Sequence, residues 1–191
     1  MITTVEPNQY APTPYLWTSE EYQRLAETGV LSGRRIELIE GQVLQMSPMG
    51  SRHSVTLMKL VRLLPQKFNE SYSIQIQSPL ALSRHSQPEP DAAVLLGPPS
   101  DFREELPIKA VLTIEVADST LRFDRTTKAK IYAAAGIEDY WIINLSEDQV
   151  EVHRKPTPED GYAETIIAKG GEKISPLVLP DAQIAVSDLL P

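Results

Sequence analysis

The chain has 191 residues, 41% of them hydrophobic and 23% charged, enough apolar material to close one core around a sheet. It lacks cysteine, which excludes disulfides, thiol catalysis and cysteine-ligated zinc. With no apolar run near the roughly eighteen residues that span a bilayer, and no basic-then-apolar start, it reads as a cytoplasmic protein with no membrane partner. A net charge of −8 leaves few cations for phosphate contacts, so nucleic-acid binding would need a local basic patch or a divalent cation to reverse the field.

Residues 1–16 are rich in Pro and Thr and read as a flexible N-terminal arm, with a single domain over 17–191. Thr18 and Glu21 have the spacing of a capping box and open a short helix through Tyr22 and Leu25. Residues 35–46 read as two strands hinged at Glu40-Gly41, with Glu40 a turn acid. Helical spacing of Leu57, Leu60, Val61, Leu64 and Phe68 predicts a helix from Ser51, kinked or ended early by Pro65. A strand over 72–82 precedes a short buried strand, 91–96, and a loop leads to another, 110–117. A helix over 122–135, stopped by Gly136, comes next. A hairpin of 140–144 with 150–153 and strands near 164–168 and 182–186 complete an α+β or mixed α/β pattern.

Two acids stand out because apolar residues surround them. Asp91 precedes Ala-Ala-Val-Leu-Leu, and Glu115 lies between Ile114 and Val116. If strands 91–96 and 110–117 pair antiparallel with Leu96 opposite Val111, Asp91 falls opposite Val116 and beside Glu115. Two buried like charges are costly unless a cation neutralises them, and carboxylate oxygens suit Mg²⁺ or Mn²⁺. Alternatively, Asp91 caps a loop and Glu115 pairs with a neighbouring Arg or Lys. On the following helix Asp124, Lys128, Tyr132 and Ala135 share one face. Asp124–Lys128 there is either a surface pair worth about 0.3–0.5 kcal/mol or a source of a lysine that leans over the acidic end. His53, Arg52 and Arg125 are candidate phosphate contacts, against a packing role for the histidine and scattered solvated charge for the arginines. Tyr140-Trp141 reads as core.

Pro90-Asp91, Ile114-Glu115-Val116 and Asp124 through Lys128 resemble the PD-(D/E)XK restriction-endonuclease-like superfamily. More closely, the chain resembles a restriction-endonuclease family abundant in cyanobacteria, long catalogued as a domain of unknown function. Glu37 to Gly41, Ser47-Pro48 and His53 match its N-terminal half. Ser119-Thr120, Asp124-Arg125, Lys128, Tyr132 and 136–141 match its C-terminal half, and the match spans roughly 18–190. The resemblance implies a central mixed sheet flanked by helices, with extra C-terminal strands. It also implies a metal-dependent nuclease acting on nucleic acid, DNA first, in which Asp91 and Glu115 hold Mg²⁺ or Mn²⁺. Lys128 and Glu37 join those two acids as catalytic residues. A homodimer is expected because duplex cleavage needs two cuts. The superfamily's lysine two residues after the glutamate is Ala117 here, so Lys128 must act from the helix. With the −8 charge, Ala117 also supports an alternative: a non-catalytic module with a vestigial metal site, used in protein–protein or regulatory association.

Overall fold

The computed structural model describes residues 12–191, so most of the expected N-terminal arm lies outside the described residues. Helix α1 (Ser19–Glu27) opens on the expected capping box, in which Thr18 and Glu21 satisfy each other's backbone N–H groups. Strands β1 (Ile36–Ile39) and β2 (Gln42–Gln45) form a two-residue hairpin. Its turn residues, Glu40 and Gly41, both take left-handed conformations (φ 49° and 77°), as a type I′ turn requires. Leu16 packs so close to the turn that a Cβ on Gly41 would come within 2.7 Å of the leucine's own Cβ.

Helix α2 (Ser51–Lys67) continues through Pro65, where the sequence predicts a kink or an early end. The proline falls in the last turn, and the carbonyl it leaves unpaired belongs to Val61, which is exposed, so water can take the bond.

The central sheet has six strands in the order β3-β4-β5-β6-β7-β8. These are β3 (Tyr72–Ile76), β4 (Ala92–Leu96), β5 (Leu112–Ala117), β6 (Asp139–Asn144), β7 (Gln149–Thr157) and β8 (Gly161–Lys169). Only β5 and β6 run parallel; their crossover is the helical segment 121–134, and the other neighbours are antiparallel. That mixed sheet with flanking helices is the expected fold class. Two short strands, β9 (Lys173–Ile174) and β10 (Ile184–Ala185), pair separately before α5 (Val186–Leu189).

Strand alternation sorts the core into two layers. Val94, Leu112, Ile114, Trp141 and Ile143 point with α2 into one apolar cluster. Ala93, Ala117, Tyr140 and Ile142 belong to another with Ala129 and Tyr132 of the crossover segment. Odd-numbered positions in β5 therefore face the crossover, Glu115 among them.

The pairing of β4 with β5 is one residue away from the expected register: Ala92 lies opposite Ile114. Extended by one pair, this sets Asp91 directly opposite Glu115 rather than Val116, and the two acids are neighbours as expected. The connection over 97–111 includes a 3₁₀ turn (Pro99–Phe102) and is too long to impose register as a tight hairpin would.

The crossover is not the uninterrupted helix the sequence predicts. It comprises α3 (Leu121–Phe123), a π turn (Asp124–Lys128) and α4 (Ala129–Ala134). The wider turn lies where Asp124 and Lys128 enter the protein interior, and both are buried.

Candidate active site

Where β4 and β5 meet the start of the crossover, a cleft of about 70 Å³ opens, room enough for ordered water. Six carboxylates line it: Glu37, Glu89, Asp91, Glu115, Asp118 and Asp124. Among the described residues, the only Lys or Arg side chains lining it are Lys128 and Arg35.

Lys128 is the hub. Its Nζ donates to Glu115 Oε1 at 2.9 Å and to Glu37 Oε1 at 3.1 Å, with all three side chains buried. Glu37 Oε2 lies equally near the ammonium but outside hydrogen-bond geometry, so it stays buried without a partner. Tyr132 Oη also donates to Glu115 Oε1, at 2.6 Å. Both donors converge on one oxygen, leaving Oε2 with no donor among the described residues. Ala117, where the superfamily has its lysine, is fully buried in the apolar cluster that includes Ala129 and Tyr132. A small residue there leaves the space to the helix, and Lys128 supplies the charge from above.

Asp91 is held from three directions. His53 Nε2 donates to Oδ2 at 3.0 Å, the Val116 N–H to the same oxygen at 2.9 Å, and Gln77 Nε2 to Oδ1 at 3.1 Å. Gln77 itself sits at φ 46°, a conformation a side chain rarely adopts, and its amide also reaches Met49 Sδ. Asp124 accepts from Thr120 Oγ1 at 2.6 Å.

Burial pushes the Glu115 carboxyl well up, and the charges of Asp124, Asp91 and Glu37 add to the rise against the opposing pull of Lys128. Burial likewise raises Asp124, to about 6, opposed by Lys128 and Thr120 and assisted by Asp91 and Glu37. Burial works against the Lys128 ammonium, but Glu115, Glu37 and Asp124 outweigh it, so its pKa is raised and the charge is kept. Burial would raise Asp91, yet the hydrogen bond and charge of His53, with Val116 and Gln77, bring it below its ordinary value. The cleft therefore holds an ionised Asp91, a fixed ammonium and a set of carboxylates in excess of their counter-charges.

That donor set fits a hard divalent cation. Asp91 has one lone-pair site left on Oδ1, and Glu115 Oε2 is free of protein donors. No three His or acidic side chains among the described residues are grouped closely enough to hold a metal unaided. A Mg²⁺-type ion, which keeps several waters, does not require three.

A profile of the Uma2 family, described as "Putative restriction endonuclease", matches residues 19–187. The chain belongs to that family. Among solved structures it is similar to a protein from Anabaena variabilis ATCC 29413 described as a "putative nuclease belonging to DUF820". The TM-score is 0.67 at 18% identity, covering 90% of this chain and 96% of that one, a likeness of fold. No curated protein matches the chain significantly.

Within this Uma2 fold the expected residues separate into two groups. Glu37, Asp91, Glu115, Lys128 and His53 all line the cleft. Arg52 and Arg125 do not. Arg52 pairs with Asp148 on the surface at 2.6 Å. Arg125 makes a two-pronged bond to buried Glu151 at 2.8 and 2.6 Å, which fixes it on β7. Among the described residues, Arg35 is the one arginine in the lining. Sequence reasoning gave no site role to Tyr132, Gln77 or Asp124. For Tyr132 and Asp124 a signal existed, since both share the helix face with Lys128. Gln77 offers none, because its part depends on a left-handed backbone.

Proposed function

We propose that this Uma2-family chain is a divalent-metal-dependent phosphodiesterase that cleaves nucleic acid, DNA first, in the cleft between Asp91, Glu115 and Lys128. The observation that supports it most is Lys128, a buried ammonium shared by Glu115 and Glu37 at a cleft lined by six carboxylates. A fold that needed only to be stable gains little from such a group, because buried ion pairs often cost more than apolar packing.

Asp91 and Glu115 would hold Mg²⁺ or Mn²⁺. Such an ion polarises the phosphate and lowers the pKa of a bound water. The chain's own residues do the rest. Glu37 and Glu115 hold the ammonium of Lys128 at the cleft, where it offsets charge gathering on the phosphate. Tyr132 pins one oxygen of Glu115, so the other faces the cleft. His53 and Gln77 set the plane of Asp91. Asp124, with its raised pKa, can carry a proton near neutral pH and release or accept it beside the reacting phosphate.

A vestigial site is the rival reading, and the protein donors already on Asp91 favour it. Titration with Mg²⁺ and Mn²⁺ separates the two. A working site gives saturable binding and a Tm that rises with ion concentration, both lost in Asp91→Asn. Identical melts with and without the ion in wild type would end the metal reading.

A homodimer is the assembly that two cuts in a duplex would need, and sedimentation of the full chain checks it. Among the described residues no helix is long and apolar enough to cross a membrane.

A further inference from the structure

The cleft lining is of two kinds. Besides the carboxylates it has an apolar wall of Met46, Pro48, Met49 and Phe123. Met46, Met49 and Phe123 belong to neither hydrophobic core cluster and are not packed against one. The fold gives them no core to fill, yet they stand in the cleft beside Asp91 and Asp124. The wall is also tied to the acids, since one amide, Gln77 Nε2, reaches both Met49 Sδ and Asp91 Oδ1 at 3.1 Å.

Duplex binding without base readout draws on rows of Lys and Arg against both phosphate backbones. Here Lys128 is held by Glu37 and Glu115, Arg125 by Glu151, and Arg52 by Asp148, so Arg35 is the one cleft cation without a carboxylate partner among the described residues. Single strands make a smaller electrostatic demand, because their bases are free to stack on aromatic and apolar side chains. A duplex keeps its bases stacked on each other and cannot offer a face to Phe123.

From the apolar wall and the shortage of free cations we infer that the cleft takes single-stranded nucleic acid, with the base beside the scissile phosphate packed on Phe123 and Met49. The inference rests on the phosphodiesterase reading and narrows its substrate. It also removes the two-cut argument for a dimer.

The test is fluorescence anisotropy with the full chain in Ca²⁺, which occupies oxygen sites. The probes are a twelve-nucleotide DNA strand, its RNA counterpart, the matching duplex, and a strand with three central bases removed. The two intact single strands distinguish DNA from RNA. The expected result is at least tenfold tighter binding of an intact single strand than of duplex or abasic strand. Phe123→Ala should weaken single-strand binding roughly five- to hundredfold, and Phe123→Trp should restore it. Should Phe123→Ala fail to fold, Phe123→Leu keeps the bulk without the flat face and carries the same expectation of weaker binding. Equal affinity for duplex and single strand, or unchanged affinity in the Phe123 variants, overturns the inference. Cleavage in Mn²⁺ is scored separately. Tight single-strand binding without cleavage defeats the phosphodiesterase reading and leaves this one, whereas cleavage that ignores Phe123 does the reverse.

Discussion

Replacing Lys128 by Met removes one ammonium and keeps most of the volume. In the native protein that ammonium lies 2.9 Å from Glu115 and 3.1 Å from Glu37, and both carboxylates are buried. Without it, Glu37, Glu115 and Asp124 face one another with no buried counter-charge. Breaking a buried pair from one side costs about 3–5 kcal/mol, which for a chain of this size lowers Tm by roughly 6–20 °C. The cost depends on pH in a definite direction. Glu115 and Asp124, with raised native pKa values, destabilise the fold once pH exceeds their unfolded values near 4, and the penalty grows as pH rises through the raised native values. The deficit of Lys128→Met is therefore smallest near pH 4 and grows as pH rises through the native values of Asp124 and Glu115. Mn²⁺ at millimolar concentration replaces part of the missing charge and raises the Tm of the variant more than that of wild type. Urea unfolding between pH 4.5 and 8, with and without Mn²⁺, measures all of this. A deficit under about 1 kcal/mol that does not vary with pH would refute the reasoning, since it would mean the acids are not clustered around the ammonium.

Tyr132→Phe deletes only the hydroxyl that donates to Glu115; it should cost about 1–3 kcal/mol and weaken Mn²⁺ binding measured by calorimetry, while an unchanged ion affinity would show that Tyr132 does not orient the carboxylate. Asp124 titrates at about 6 in the native state, so at this group stability is highest in its protonated form below pH 4 and declines as pH rises through 6, by about 3 kcal/mol in total. Bound cation favours the ionised form, so ion affinity should fall as pH drops below about 6, with proton release visible as a buffer-dependent heat. Arg125→Ala strips buried Glu151 of its two-pronged partner and should cost about 2–4 kcal/mol with no loss of nucleic-acid affinity; weaker binding instead would return Arg125 to the substrate contacts.

How much of this was legible beforehand depends on the range of the interaction. Asp91 and Glu115 were visible because one adjoins and the other lies in an apolar strand, where an acid needs a reason. Lys128 was visible as a member of a helix face one crossover away. What was hidden depended on distance in the chain or on backbone detail. Arg125 looked available for phosphate because its partner, Glu151, lies 26 residues on and across the sheet. The one-residue shift between β4 and β5 was hidden by a long connection that leaves register to packing. The π turn at Asp124–Lys128 has no residue signature, since Asp-Arg-Thr-Thr-Lys is compatible with an ordinary helix. Pro65 misled because its effect depends on which carbonyl it orphans, and Val61 is one that water can reach. The apolar wall around Phe123 was unreadable because nothing in a single sequence separates a core aromatic from one facing a cleft.

The central claim is that the carboxylates around Lys128 work with a divalent ion to cut a phosphodiester. The most direct measurement is single-turnover cleavage of a labelled DNA strand and of plasmid by wild type, Asp91→Asn, Asp91→Ala and Lys128→Ala, with Mg²⁺, Mn²⁺ or excess chelator. The account predicts cleavage of the labelled strand by wild type that needs the ion, exceeds cleavage of the plasmid, and falls at least a hundredfold in each Asp91 variant and in Lys128→Ala. Cleavage that persists in chelator, or that Asp91→Ala leaves undiminished in a folded protein, contradicts it.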